Sequence, residues 1–183
     1  MKKQAGFTLI EIAIVLVIIG LLLGGVLKGQ EMITNSKIKR TANDLNGVAA
    51  AMYSYLDRYS AFPGDDALAD DRWGGAVVGG NGDGDIDGAE RPDVWEHLRL
   101  SGLVAGSGSS NPNHAFGGEI FVQNGGAGIS GTVMCMNLMS GKIAEILDRQ
   151  TDDGVGNTGE FRQTTGAAAY DQNATNLTLC KKL

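Results

Sequence analysis

The densest run of groups able to do chemistry lies between Asp65 and Glu96, where ten carboxylates and two arginines leave a net charge of −8. Within it, Asn81-Gly82-Asp83-Gly84-Asp85-Ile86-Asp87-Gly88 sets oxygen donors on alternate residues and a glycine where a loop must turn sharply. That is the donor logic of a calcium loop. The match is partial, because the position six residues after Gly88 is Val94 and not Glu. Asp83, Asp85 and Asp87 would then be completed by Glu90, with Asp93 or Glu96 as substitutes, and Ca2+ is the one cofactor the sequence suggests. The competing reading is a solvated acidic turn that holds no ion. Asp152-Asp153-Gly154 is a smaller candidate of the same kind and reads first as a turn.

Catalysis has little support. His97 and His114 stand far apart, with no nucleophile or metal-ligand spacing around either, and acid–base work needs a pocket as well as carboxylates. Two cysteines and two histidines are too few for a zinc-finger or iron–sulfur framework. The expectation is that the chain is not an enzyme. A net charge of −6 and a pI near 4.8 argue against direct nucleic-acid binding, which rests on basic surfaces.

One further acid stands out by its surroundings. From Phe7 to Leu27 the only polar side chains are Thr8 and Glu11. As a helix this run is roughly 30 Å long at 1.5 Å per residue, the thickness of a bilayer's hydrocarbon core. A secretory signal peptide is the rival reading, but no small-residue cleavage site follows the run before Lys28 and Glu31, and the run is longer than the usual apolar region of such peptides. An ionisable group inside such a span is costly and ordinarily has a partner and a function; the alternative for Glu11 is an interfacial position near the helix end.

Lys2-Lys3-Gln4-Ala5-Gly6 followed by Phe7-Thr8-Leu9-Ile10-Glu11 resembles the N-terminus of type IV prepilins and type II secretion pseudopilins: a short basic leader ending in Gly, then Phe, with Glu as the fifth residue of the mature chain. The resemblance implies cleavage between Gly6 and Phe7 by a prepilin peptidase on the cytoplasmic side, and methylation of the new amine of Phe7. Lys2 and Lys3 beside the span fit the positive-inside rule. The resemblance also implies a partner for Glu11, the α-amino group of Phe7 in a neighbouring subunit. A paired buried charge can fix register, whereas an unpaired one is heavily penalised. Further implied partners are copies of the chain and other pilins, the inner-membrane assembly platform and membrane lipid. The implied locations are the cytoplasmic membrane before assembly, with the body outside, and a pilus at the cell surface or a periplasmic pseudopilus afterwards. The leading function is a structural subunit of a type IV pilus-like filament. The alternatives are a pseudopilin of a type II secretion system and, from another class, a membrane-anchored calcium-dependent binding module.

The elements that must position these groups follow from periodicity. Ile38, Ala42, Leu45, Ala49, Met52, Leu56 and Tyr59 recur at alternating spacings of four and three, the apolar stripe of a helix. One helix is expected from near Phe7 to Tyr59, ending before Phe62-Pro63-Gly64. Gly20, Gly24 and Gly25 lie inside its apolar half, as close-packing positions or as weak points where the helix can melt. Many filament-forming relatives have a proline shortly beyond, where this chain has Val26-Leu27-Lys28. Downstream, Pro92–Leu100 and Ser140–Gln150 read as helices, and Glu119–Gln123, Thr132–Met136, Glu160–Gln163 and Leu177–Lys181 as short strands between Gly, Ser and Asn clusters. The fold class is α+β: a long N-terminal helix packed on a small antiparallel sheet, which the resemblance implies as well. The expected divisions are a leader at 1–6, a transmembrane or filament-core segment at 7–27, its amphipathic continuation at 28–60, and a Gly-rich acidic body at 61–183.

The two cysteines are Cys135 and Cys180. They are either buried free thiols or, if the body is exported to an oxidising compartment, one disulfide. A bridge across that loop is worth roughly 4 kcal/mol on the chain-entropy model, and the family often has one near its C-terminus.

Overall fold

In a computed structural model of the chain, residues 7–75 and 77–183 are described. Leader residues Lys2, Lys3 and Gly6 lie outside them, so the cleavage position has no structural account. The chain divides into two compact units, residues 1–37 and 38–183.

Helix α1 runs from Leu9 to Tyr59 and α2 from Ala69 to Trp73. After these come α3 at Asp93–Leu100, β1 at Ile120–Gly126, β2 at Ile129–Met139, α4 at Gly141–Thr151, β3 at Phe161–Gln163 and β4 at Leu177–Lys182. The fold is α+β, as the periodicity and strand composition predict. In the N-terminal unit the helix is unbroken through Gly20, Gly24 and Gly25, and a Cβ added at any of the three would meet nothing within 4 Å. Among the described residues, the absent side chains therefore serve no packing.

In the body, the four strands form one antiparallel sheet in the order β1-β2-β4-β3. The β1–β2 hairpin turns through Ala127 and Gly128, with φ of 53° and 73°. Two successive positive φ values give the turn a twist that matches the flanking strands. The sheet buries both faces. On one, Ile120, Val122, Met134, Met136 and Leu179 join a core with α1, α3 and α4, to which Trp95, Leu98, Leu147 and Phe161 contribute. On the other, Ile129, Val133, Cys135 and Cys180 form a smaller cluster under Phe121 and Ala127. Val133 to Met136 are therefore all buried, because successive strand side chains point to opposite faces and each face here has a cover.

The buried face of α1 in the body is Ile38, Thr41, Leu45, Val48, Ala51, Met52 and Tyr55. The expected stripe is corrected by a rotation: Ala42, Ala49 and Tyr59 are its half-buried edge, and the centre lies along Thr41, Val48 and Tyr55. Along that line Val48 and the Tyr55 ring fill more of the interface than Ala42 and Ala49 would. Tyr55 can be buried because its hydroxyl has an acceptor there.

Candidate functional site

The N-terminal segment presents its groups outward. Thr8 precedes the first turn of α1, and both its N–H and its hydroxyl donate to Glu11 Oε2, at 2.8 and 2.7 Å. The Glu11 N–H donates back to the Thr8 hydroxyl oxygen at 3.3 Å. This reciprocal Thr-x-x-Glu arrangement is a capping box, and it satisfies donors that a helix start otherwise leaves open. It gives Glu11 a local role beside the partner in a neighbouring subunit that the resemblance implies. Both Thr8 donors converge on Oε2, so Oε1 remains for another donor. Phe7 and Leu9 are 85% and 89% exposed, and large apolar side chains stay exposed as far as Ile33. The best 18-residue window of α1 has a mean hydropathy of 2.8, with none of it buried. By length and composition this helix can cross a membrane, which fits a membrane-anchored precursor.

The acidic loop is organised from below by carboxylates. Phe62 to Asp66 lead from the end of α1 into the body, and Asp65 and Asp66 are buried. The Asp65 carboxylate accepts the backbone N–H groups of Gly82, Asp83 and Gly84 at 2.7, 3.1 and 2.8 Å. Glu90, also buried, accepts those of Asn81 and Asp87 at 2.9 and 3.1 Å. Asp83 and Asp87 accept N–H groups two residues onward, from Asp85 and Ala89. A glycine-rich loop with few backbone partners needs acceptors for its N–H groups, and local carboxylates supply them. Of the four expected calcium ligands, Asp83, Asp85 and Asp87 are exposed and Glu90 is turned inward. The group of three carboxylates that does gather lies elsewhere: among the described residues, one oxygen from each of Asp148, Asp152 and Asp153 lies within 4.8 Å of the others. These three form an acidic cluster able to take a metal ion.

Asp66 anchors the Phe62–Asp66 segment to α1 and α2. It accepts the Tyr55 hydroxyl at 2.7 Å and the Leu68 N–H at 3.0 Å, and pairs with Arg72. Burial, and then the hydrogen bond to Asp66, hold the Tyr55 phenol far above its usual pKa. His97 is fully buried. Its Nδ1 accepts the Gly64 N–H at 2.9 Å, so Nε2 carries the proton and donates to the Val78 carbonyl at 2.9 Å. His114 bridges the Phe116 N–H and the Asn137 carbonyl in the same way. Both imidazoles thus hold loops in place through the backbone. Asp65 and Asp66 were not singled out in the sequence as organising residues. Their only signal was position: two acids directly after Phe62-Pro63-Gly64, where a chain leaving a helix folds back under the body.

Cys135 and Cys180 face each other across β2 and β4 with Cα atoms 4.0 Å apart, and they form a disulfide.

Residues 1–27 match the family model of the prokaryotic N-terminal methylation motif. No curated protein and no solved structure matches the chain. The leader-Gly6-Phe7 sequence, Glu11 capping its own helix and the exposed apolar run behind it all lie in or adjoin this matched segment, and with it the chain carries the signature of type IV prepilins and pseudopilins.

Proposed function

We propose that the chain is a structural subunit of a type IV pilus-like filament. It enters the cytoplasmic membrane as a prepilin, is cleaved after Gly6 by a prepilin peptidase, is N-methylated on Phe7, and assembles with copies of itself and other pilins on an inner-membrane platform. The observation that carries this reading is the junction of a methylation motif at 1–27 with a helix that is apolar and exposed to Ile33, ahead of a body that buries its own core. An apolar surface of that length requires cover: lipid before assembly and neighbouring helices after it. Glu11 Oε1 takes the methylated amine of a neighbouring Phe7, so each subunit docks at a fixed axial step. Pilins and pseudopilins are structural families, and the tethered imidazoles of His97 and His114 suit a scaffold better than a catalyst.

Electron microscopy of cells with and without the chain tests this. Extracellular fibres lost on deletion support the pilus reading. A bald surface in both strains, with a secreted enzyme accumulating in the periplasm on deletion, replaces it with a type II secretion pseudopilin. An intact precursor that never polymerises replaces it with an anchored binding module.

A further inference from the structure

The end of α4 carries charges of the wrong sign. Asp148 lies in its last turn, Asp152 caps it one turn later, and Asp153 follows. Carboxylates four residues apart repel, and the C-terminal end of a helix favours cations. Among the described residues no base forms an ion pair with this cluster. Arg149 pairs with Glu145. Arg162 favours the charged form of Asp153 without an ion pair to it, and gives its N–H groups to the Gly159 and Gly128 carbonyls at 2.8 and 3.1 Å.

A second observation concerns Asp148 alone. It is fully buried, and its Oδ2 accepts the Tyr170 hydroxyl at 2.7 Å. Its Oδ1 is buried with no hydrogen-bond partner. A buried carboxylate oxygen left unsatisfied is costly. Burial pushes this carboxyl above the usual range, and Asp152 and Asp153 push it the same way. The Tyr170 hydroxyl and the nearby Gly154 N–H oppose the shift.

The loop behind the cluster is already shaped. Asp152 Oδ2 accepts the Phe161 N–H at 2.9 Å. Asp153 accepts the Val155 N–H at 2.8 Å and the Thr158 hydroxyl at 2.6 Å. Gly159, with φ of 69°, lies so close that an added Cβ would fall inside the Asp152 carboxylate, 1.9 Å from one oxygen. Asp148 and Asp152 are thus each held through Oδ2 alone, while Asp153 accepts one bond on each of its oxygens.

We infer that Asp148, Asp152 and Asp153 hold a calcium ion at the C-terminal end of α4. The donors are all hard oxygens, which excludes a preference for soft metals. They come from a helix, a cap and an irregular loop, which suits the flexible coordination of Ca2+ better than the strict octahedron of Mg2+. The ion satisfies Asp148 Oδ1, offsets three like charges, and joins α4 to β3 through Asp152 and Phe161. Water completes its shell.

The test uses the full-length protein in detergent, stripped with EGTA and titrated with CaCl2 by calorimetry up to about 10 mM, above the roughly 10⁻⁴–10⁻³ M range of extracellular calcium modules. A saturable one-site heat and a higher melting temperature with calcium are expected. Asp153→Asn and Asp152→Asn, each with an unchanged circular dichroism spectrum in EGTA, should weaken binding about tenfold or more, while Asp85→Asn binds as the parent does. Absence of heat and of a melting shift, a response to MgCl2 but not CaCl2, parent-like affinity in both cluster variants, or loss of binding in Asp85→Asn alone would each overturn the assignment.

Discussion

Glu11 combines an observed bond with a proposed one. Its Oε2 closes the first turn of α1 with Thr8, and Oε1 is the oxygen proposed to take the amine of another copy. The two can be separated by substitution. Glu11→Gln keeps an acceptor and the capping geometry but removes the charge. Glu11→Leu removes both and costs about 1 kcal/mol of helix-start stability. Both variants should insert and be processed, seen as a shifted band on a gel, and both should give far fewer filaments in sheared fractions. Parent-like filament yield from Glu11→Leu would remove the charge pair from the assembly mechanism. At the same scale, Asp93 begins α3 near Glu90 and Glu96, and burial first, then those like charges, raise its carboxyl above the usual range, opposed by His97. A carboxyl raised on folding binds its proton more tightly in the folded state, so its ionisation lowers stability as pH climbs from about 4 through the raised value. Asp93→Asn should match or exceed the parent in thermal melts at pH 7, by a fraction of 1 kcal/mol at such a half-buried site, and the gap should close below pH 4.

Among the elements, the sheet depends most on its central pair. β2 and β4 are covered on both faces, and Cys135–Cys180 joins them directly. Replacing both cysteines with serine should lower unfolding free energy by about 4 kcal/mol on the chain-entropy model, measured by denaturant titration of the body, and β4 should lose amide-exchange protection before β1. The elements also show how far sequence reasoning reaches. The strands, α3 and α4 were legible because their apolar runs end in glycine and proline punctuation. α2 was not, since five residues from Ala69 to Trp73 carry no period. The buried face of α1 was displaced because Thr41 and Tyr55 read as polar until Asp66 is seen receiving the Tyr55 hydroxyl. The acidic loop was visible as a loop, yet its organisers are Asp65 and Glu90, and burial is what distinguishes them from Asp83 and Asp85. No local pattern encodes burial. Asp152 and Asp153 read as a turn, whereas Asp152 caps α4 and Asp153 opens the irregular loop after it; the buried partner that makes them a cluster, Asp148, sits inside an ordinary helical run.

For the whole molecule, the compact body begins at Ile38, and the continuous run of exposed large apolar side chains on α1 ends shortly before it, at Ile33. A chain starting at Lys28 should therefore be soluble without detergent, monomeric by light scattering and cooperative in thermal unfolding, whereas the full chain needs detergent. Aggregation of that fragment would mean that the body relies on the membrane segment for cover.

The covalent link between β2 and β4 also sets how the body behaves under tension. It spans 45 residues of sequence. At about 3.3–3.6 Å per extended residue, roughly 150 Å of contour is shielded from any force applied between Ile38 and Leu183. In a single-molecule pulling trace, unfolding of the oxidised body should fall short of full extension by that length, and a reducing agent should release it. A fibre built from such subunits would yield under load by a fixed amount and keep a reserve that only a change in redox state unlocks.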